Sequence, residues 1–150
     1  MKKTALFAGT FDPYTIGHHS IVTRAMAMFD KIIIAVGRNS AKSSHTDAEK
    51  RAENISGIYA DEPRIEVTTY EGLTADFAKE QEACCLLRGV RSVRDFEYER
   101  DLADLNREIS GIETVILLSE PQYAAISSSA VRELMSYGKD VSKFLPLKEK

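Results

Sequence analysis

The run Gly9-Thr10-Phe11-Asp12-Pro13-Tyr14-Thr15-Ile16-Gly17-His18 holds the residues best suited to chemistry. Two glycines open the backbone, Thr10 brings a hydroxyl, and His18 brings a ring N–H at the exit. Backbone N–H groups and a helix start converging on one point make a site for an anion, phosphate above all. His18 can donate to that same anion from the first helical turn. Three further groups carry complementary chemistry. Lys42, in the Ser-rich stretch Arg38 to His45, offers a compact positive charge on a long stem. Leu87-Arg88-Gly89-Val90-Arg91 sets two guanidiniums around a glycine, and guanidiniums suit fork-like contacts to phosphate oxygens. One of those arginines is expected to pair with an acid of the following Asp95-Phe96-Glu97-Tyr98-Glu99, and pairing of both is the alternative to a phosphate role. Ile126-Ser127-Ser128-Ser129 needs only one hydroxyl to cap a helix, so the others are open to a polyanion.

Other chemistries lack their residues. No nucleophile elbow accompanies a Ser-His-Asp order, and no His/Cys cluster has zinc spacing. The GxxxxGK[ST] and GxGxxG phosphate motifs are both missing. The pattern favours electrostatic handling of phosphates without a covalent intermediate. His19 is expected on another helix face, exposed.

Strand and helix patterns alternate along the whole chain to position these groups. Thr4 to Ala8 reads as a strand, and Ile21, Val22, Ala25 and Phe29 recur at helical spacing after the first loop. Lys31 to Gly37 is the second strand. A helix over Thr46 to Ala60 follows, with a capping box from Thr46 and Glu49 and a buried stripe of Ala52, Ile55 and Tyr59. Arg64 to Tyr70, Cys84 to Leu87 and Glu113 to Ser119 complete the strands. Leu73 to Glu82, Val93 to Ser110 and Ser128 to Tyr137 complete the helices. Tyr98, Leu102, Leu105 and Ile109 share a face of the long helix; Val131, Leu134 and Met135 should point inward from the last, which Gly138 caps. The pattern implies an α/β fold, a doubly wound, five-stranded, mainly parallel sheet with ligands at the carboxyl ends of its strands. The irregular segments Arg38 to His45, Arg88 to Ser92 and Glu120 to Ser127 all follow strands, so they converge on the first loop's edge.

At 150 residues the chain is expected to form a single domain over residues 1–150. A net charge of −3, from 20 basic and 23 acidic residues, argues against a nucleic-acid partner. Met1-Lys2-Lys3 and the brief apolar run after it do not make a signal peptide, and no stretch approaches a membrane span. Adjacent Cys84 and Cys85 read as small buried hydrophobes, not as a disulfide framework. A cytoplasmic location is the expectation.

Taken in order, these motifs closely resemble the bacterial phosphopantetheine adenylyltransferases, within the nucleotidyltransferase superfamily that carries the (T/H)xGH signature and a Rossmann-like fold. The likeness runs from Gly9 to His18 through Lys42, Arg88 to Arg91, Asp95 to Glu99 and Ile126 to Ser129, and reaches Phe144-Leu145-Pro146. It implies transfer of AMP from ATP to 4′-phosphopantetheine, giving dephospho-coenzyme A and pyrophosphate, with Mg²⁺ carried on ATP. By motif, Thr10, Lys42 and Arg88 would hold the acceptor phosphate, and Thr74 would line the pantetheine arm. His18 and Arg91 would stabilise charge at the α-phosphate and leaving group, with Thr10 and Lys42 also in the catalytic set. ATP would meet Thr10, Phe11, Gly17, His18, Gly89, Val90 and Arg91, then Tyr123, Ala124, Ala125, Ile126, Ser127, Ser128 and Ser129, with Glu99 at the adenosine. The resemblance also implies a homohexamer. Adenylyltransferases or cytidylyltransferases with other acceptors share the first loop, and a non-catalytic nucleotide sensor would keep its glycines. The Arg88 to Arg91 and Asp95 to Glu99 segments favour pantetheine over the first, and the joint presence of Lys42, Arg88 and Arg91 argues against the second.

Overall fold

The computed structural model describes residues 2–38 and 47–147. Its strands β1 (Thr4–Gly9), β2 (Lys31–Gly37), β3 (Ile65–Tyr70), β4 (Cys85–Val90) and β5 (Glu113–Leu118) form one sheet, ordered β3-β2-β1-β4-β5. Every neighbouring pair is parallel, as a chain alternating strands with helices requires. From β1 the chain first winds outward to β2 and β3, then crosses back to β4 on the other flank. The reversal leaves a crevice at the carboxyl ends of β1 and β4. Gly9 and the Arg88–Arg91 segment both end there.

Side chains alternate across the sheet, and both faces are covered. Phe7, Ile32, Ile34, Val36 and Leu87 pack with α1 (Ile16–Ala25) and α2 (Ala48–Ile58). Leu6, Ala8, Ile33, Ala35 and Leu86 pack with Ala75 and Ala78 of α3 (Thr74–Glu80), and α4 (Val93–Ser110) covers β4 and β5 on that side. Strands buried on both faces read as continuous apolar runs, as Lys31-Ile32-Ile33-Ile34-Ala35-Val36 does.

Four local expectations are corrected. The N-cap of α2 is Asp47, whose carboxylate accepts from Lys50 N–H at 2.7 Å; Thr46 lies outside the described residues. Strand β4 runs on through Arg88 and Gly89 to Val90 because the ladder to β5 continues, Arg88 opposite Ile116 and Val90 opposite Leu118. Cys85 is buried in that strand while Cys84, before it, is exposed. Of the three residues expected inward from α5 (Ser128–Ser136), only Val131 is buried. That helix is tied to the first loop: Ser128 Oγ donates to Pro13 O at 2.7 Å and Arg132 Nη1 to Asp12 O at 2.6 Å. Gly138 does close α5, at φ +72°. On α4 the expected apolar face is largely open, with Tyr98 at 63% and Leu105 and Ile109 at 61% exposure.

Candidate active site

Thr15 caps α1 and fixes His18. Its side chain accepts from His18 N–H, and its own backbone N–H donates to His18 Nδ1 at 2.9 Å. A backbone amide can only donate, so Nδ1 is an acceptor and the ring proton sits on Nε2. Burial, and then the charges of Arg88 and Arg91, lower the imidazole from 6.5 to about 4. His18 is therefore a neutral N–H donor at physiological pH. Phe11 meets its ring edge-on (5.1 Å between centroids, 86°), while Tyr14 stacks on it (5.3 Å, 24°). Phe11 itself has φ +52° and lies over Gly9, where a Cβ would stand 3.0 Å from its ring. Gly9 is required by that close approach.

Two cavities flank the loop. One, of about 300 Å³, is lined by Phe11, Gly17, His18, Gly89, Arg91 and the segment Ile126–Ser129. The other, of about 530 Å³, contains Tyr70, Thr74, Tyr98, Glu99, Leu102 and Asn106. Ala8, Gly9, Thr10 and Arg88 line both, so the two spaces meet at the end of β1. Most of the expected residues thus divide between two chambers, while Val90, Tyr123, Ala124 and Ala125 line neither. Alternation along β4 explains the division: Arg88 shares the face of Leu86, toward α3 and α4, and Gly89 faces α1.

Both arginines do pair with acids. Arg88 makes a fork with Glu99, Nε to Oε1 and Nη2 to Oε2, each 2.7 Å, and its Nη1 donates to Ala8 O at 2.6 Å. Burial alone would lower the Arg88 guanidinium, but Glu99 holds it above its ordinary value. Arg91 pairs with Asp95 at 3.4 Å and reaches Ala124 O at 3.4 Å, so it keeps the more open geometry. Glu99, which the resemblance sets at the adenosine, lies in the larger chamber with Thr74 and gives both carboxylate oxygens to Arg88.

The serines divide their work. Ser127 caps α5 by accepting from Ala130 N–H at 3.1 Å, which leaves its own hydroxyl proton to donate. Ser128 commits its proton to Pro13 O and can only accept from a ligand. Ser129 lines the smaller chamber with the free N–H groups of the helix start. Tyr123 ends a 3₁₀ turn (Pro121–Tyr123) whose Cβ lies 3.9 Å from where a Gly17 Cβ would be; Ala124 and Ala125 follow it, and Val90 is buried in the sheet. Lys42 lies outside the described residues. His19, expected exposed, is half-buried, with Nδ1 2.8 Å from the Tyr59 hydroxyl. Sequence reading also missed Arg51, a buried arginine of α2 that donates to Thr10 O. Its place at helical spacing from Ala48, Ile55 and Ile58 was the available signal.

A parallel sheet whose switch point joins a phosphate loop, a neutral histidine and two arginines defines a nucleotidyltransferase. The Cytidylyltransferase-like family matches residues 6–134. Among solved structures, a putative nicotinate-nucleotide adenylyltransferase from Vibrio parahaemolyticus shares the fold at TM-score 0.66 and 18% identity, covering 97% of this chain and 94% of its own. Similarity in sequence is far closer to curated phosphopantetheine adenylyltransferases. That of Porphyromonas gingivalis is 55% identical over 97% of this chain and 95% of its own length. That of Bacteroides thetaiotaomicron is 51% identical over 96% and 95%. The chain belongs to the phosphopantetheine adenylyltransferase family and is a nucleotidyltransferase.

Proposed function

We propose that the chain transfers AMP from ATP to 4′-phosphopantetheine, yielding dephospho-coenzyme A and pyrophosphate. The observation that carries this reading is the meeting of two chambers at Thr10 and Arg88. ATP occupies the smaller, between His18 and the α5 start. The acceptor arm lies in the larger, past Thr74, with its phosphate at Thr10, Arg88 and Lys42. An acceptor phosphate oxygen attacks the α-phosphorus, the bond to the β-phosphate oxygen breaks, and pyrophosphate leaves with the electron pair. No proton transfer to protein is needed, so the protein contributes position and charge. His18 Nε2–H donates to the α-phosphate as its charge redistributes, and Arg91 steadies the departing pyrophosphate.

The donors lining the smaller chamber are hydroxyl, amide, imidazole and guanidinium groups, which suit phosphate oxygens. Among the described residues no cluster of three His, Cys, Asp or Glu side chains is placed for a metal ion. In this reading Mg²⁺ enters on ATP and offsets the phosphate charge. A cytoplasmic homohexamer is proposed on the family resemblance; among the described residues no helix is long and apolar enough to cross a membrane.

Pyrophosphate release is the test, with ATP or CTP against phosphopantetheine, nicotinamide mononucleotide and a polyol phosphate. Release only with ATP and phosphopantetheine is expected. Activity with another acceptor and none with phosphopantetheine would overturn the reading. His18→Ala should lower kcat by about 10²–10³, the typical loss for one transition-state donor, with ATP affinity little changed.

A further inference from the structure

The Thr15 N–H bond pins one atom of the His18 ring and leaves the tilt of its plane to whatever flanks it. On one face that neighbour is Tyr14, stacked at 24°. Tyr14 is 5% exposed, with Phe11 edge-on to it at 5.3 Å between centroids. It also lines a third cavity, of about 280 Å³, with Asn54, Ile58 and Leu145. What ties it is its hydroxyl, 2.6 Å from that of Tyr59 just past the end of α2. Tyr59 is in turn held by His19 Nδ1 at 2.8 Å, one residue beyond His18 on α1. The ring of contacts closes on itself: His18, Tyr14, Tyr59, His19.

We propose that Tyr14, anchored by Tyr59 and His19, is a positioning residue that sets the plane of the His18 ring and so aims Nε2–H into the smaller chamber. Its hydroxyl reaches away from the chamber and touches no substrate. The inference rests on His18 acting in transfer. A displacement of about 1 Å at such a donor is enough to cost up to 10² in rate.

Three variants test it. Tyr14→Phe keeps the stacked ring and removes the anchor. Tyr59→Phe strands the Tyr14 hydroxyl, which should also lower stability. The double variant Y14F/Y59F strands neither phenol and should regain stability over Y59F. All three should lose kcat by about tenfold, with the KM for ATP within about twofold. Ring proton and carbon shifts of His18, which report the stacked Tyr14 ring, should move in all three variants, while its Nε2–H tautomer, held by the Thr15 N–H, stays. If kcat in the double variant recovers along with stability, or if the His18 ring shifts are unchanged in all three, the proposal is overturned. Normal turnover in His18→Ala would instead sink the site reading, and the spectra would still judge the positioning claim.

Discussion

The fork between Arg88 and Glu99 invites a quantitative test, because one pair both stabilises the fold and shapes the larger chamber. Glu99 has 8% of its side chain exposed and Arg88 33%. Removing one partner of a fully buried pair costs about 3–5 kcal/mol, while exposed pairs contribute about 0–1 kcal/mol. In Glu99→Ala, water reaches the one-third-exposed guanidinium and rehydrates part of its charge, so a loss of about 2–3 kcal/mol is expected. For a chain of this size that corresponds to a Tm drop of roughly 5–10 °C. Arg88→Ala strands a nearly inaccessible carboxylate and belongs at about 3–5 kcal/mol. The double variant should then recover about 2 kcal/mol of coupling, read by urea unfolding of all four proteins. Kinetically, Glu99→Ala frees Arg88 from its fork, so the acceptor KM should rise while the ATP KM stays. A coupling below about 0.5 kcal/mol would refute the claim that the fork organises this wall.

Two further predictions use the same geometry. His18 falls from 6.5 to about 4 on folding, so between those values the unfolded chain binds the extra proton and stability declines as pH falls. Comparing parent with His18→Gln by urea unfolding from pH 7.5 to 4.5 should show a shallower acid slope in the variant, by up to about 1.4 kcal/mol per pH unit; identical slopes would mean His18 is not buried neutral. Gly89→Ala would bring a Cβ within 2.9 Å of Ile21 Cγ1, an overpacking expected to cost about 1–3 kcal/mol in thermal unfolding. Ile21→Val in the same chain removes Cδ1, 3.1 Å from that Cβ, and should restore part of the loss; an unchanged Tm in Gly89→Ala itself would refute the clash.

The fold was legible because each strand announced itself by apolar content and each helix by spacing. Lys31 to Gly37 and Val93 to Ser110 match the observed elements residue for residue. Errors arose where local signals competed. Thr46 and Asp47 are both good caps, and the chain's choice depends on which stands before the first helical turn. Arg88 and Gly89 look like loop residues, yet pairing with Ile116 and Leu117 keeps them in the sheet. The loop residues of the site were readable as types, but their division between chambers was not, since it follows from strand alternation at Arg88. His19 was misread because its partner, Tyr59, lies forty residues away, just past the end of α2.

The division along β4 has an evolutionary consequence. Adjacent residues serve opposite sides of the sheet, so the two chambers meet along one edge and otherwise draw on separate helices. Substitutions at Tyr70, Thr74, Leu102 or Asn106 alter the larger chamber, and among the described residues none of the four lines the smaller one. With the acceptor in the larger chamber, as proposed, a lineage could retune what it adenylylates through β3, α3 and α4 while His18, Arg91 and the serine helix stay as they are. A one-residue insertion in β4 would have the opposite effect, exchanging the faces of Arg88 and Gly89 and dismantling both chambers at once.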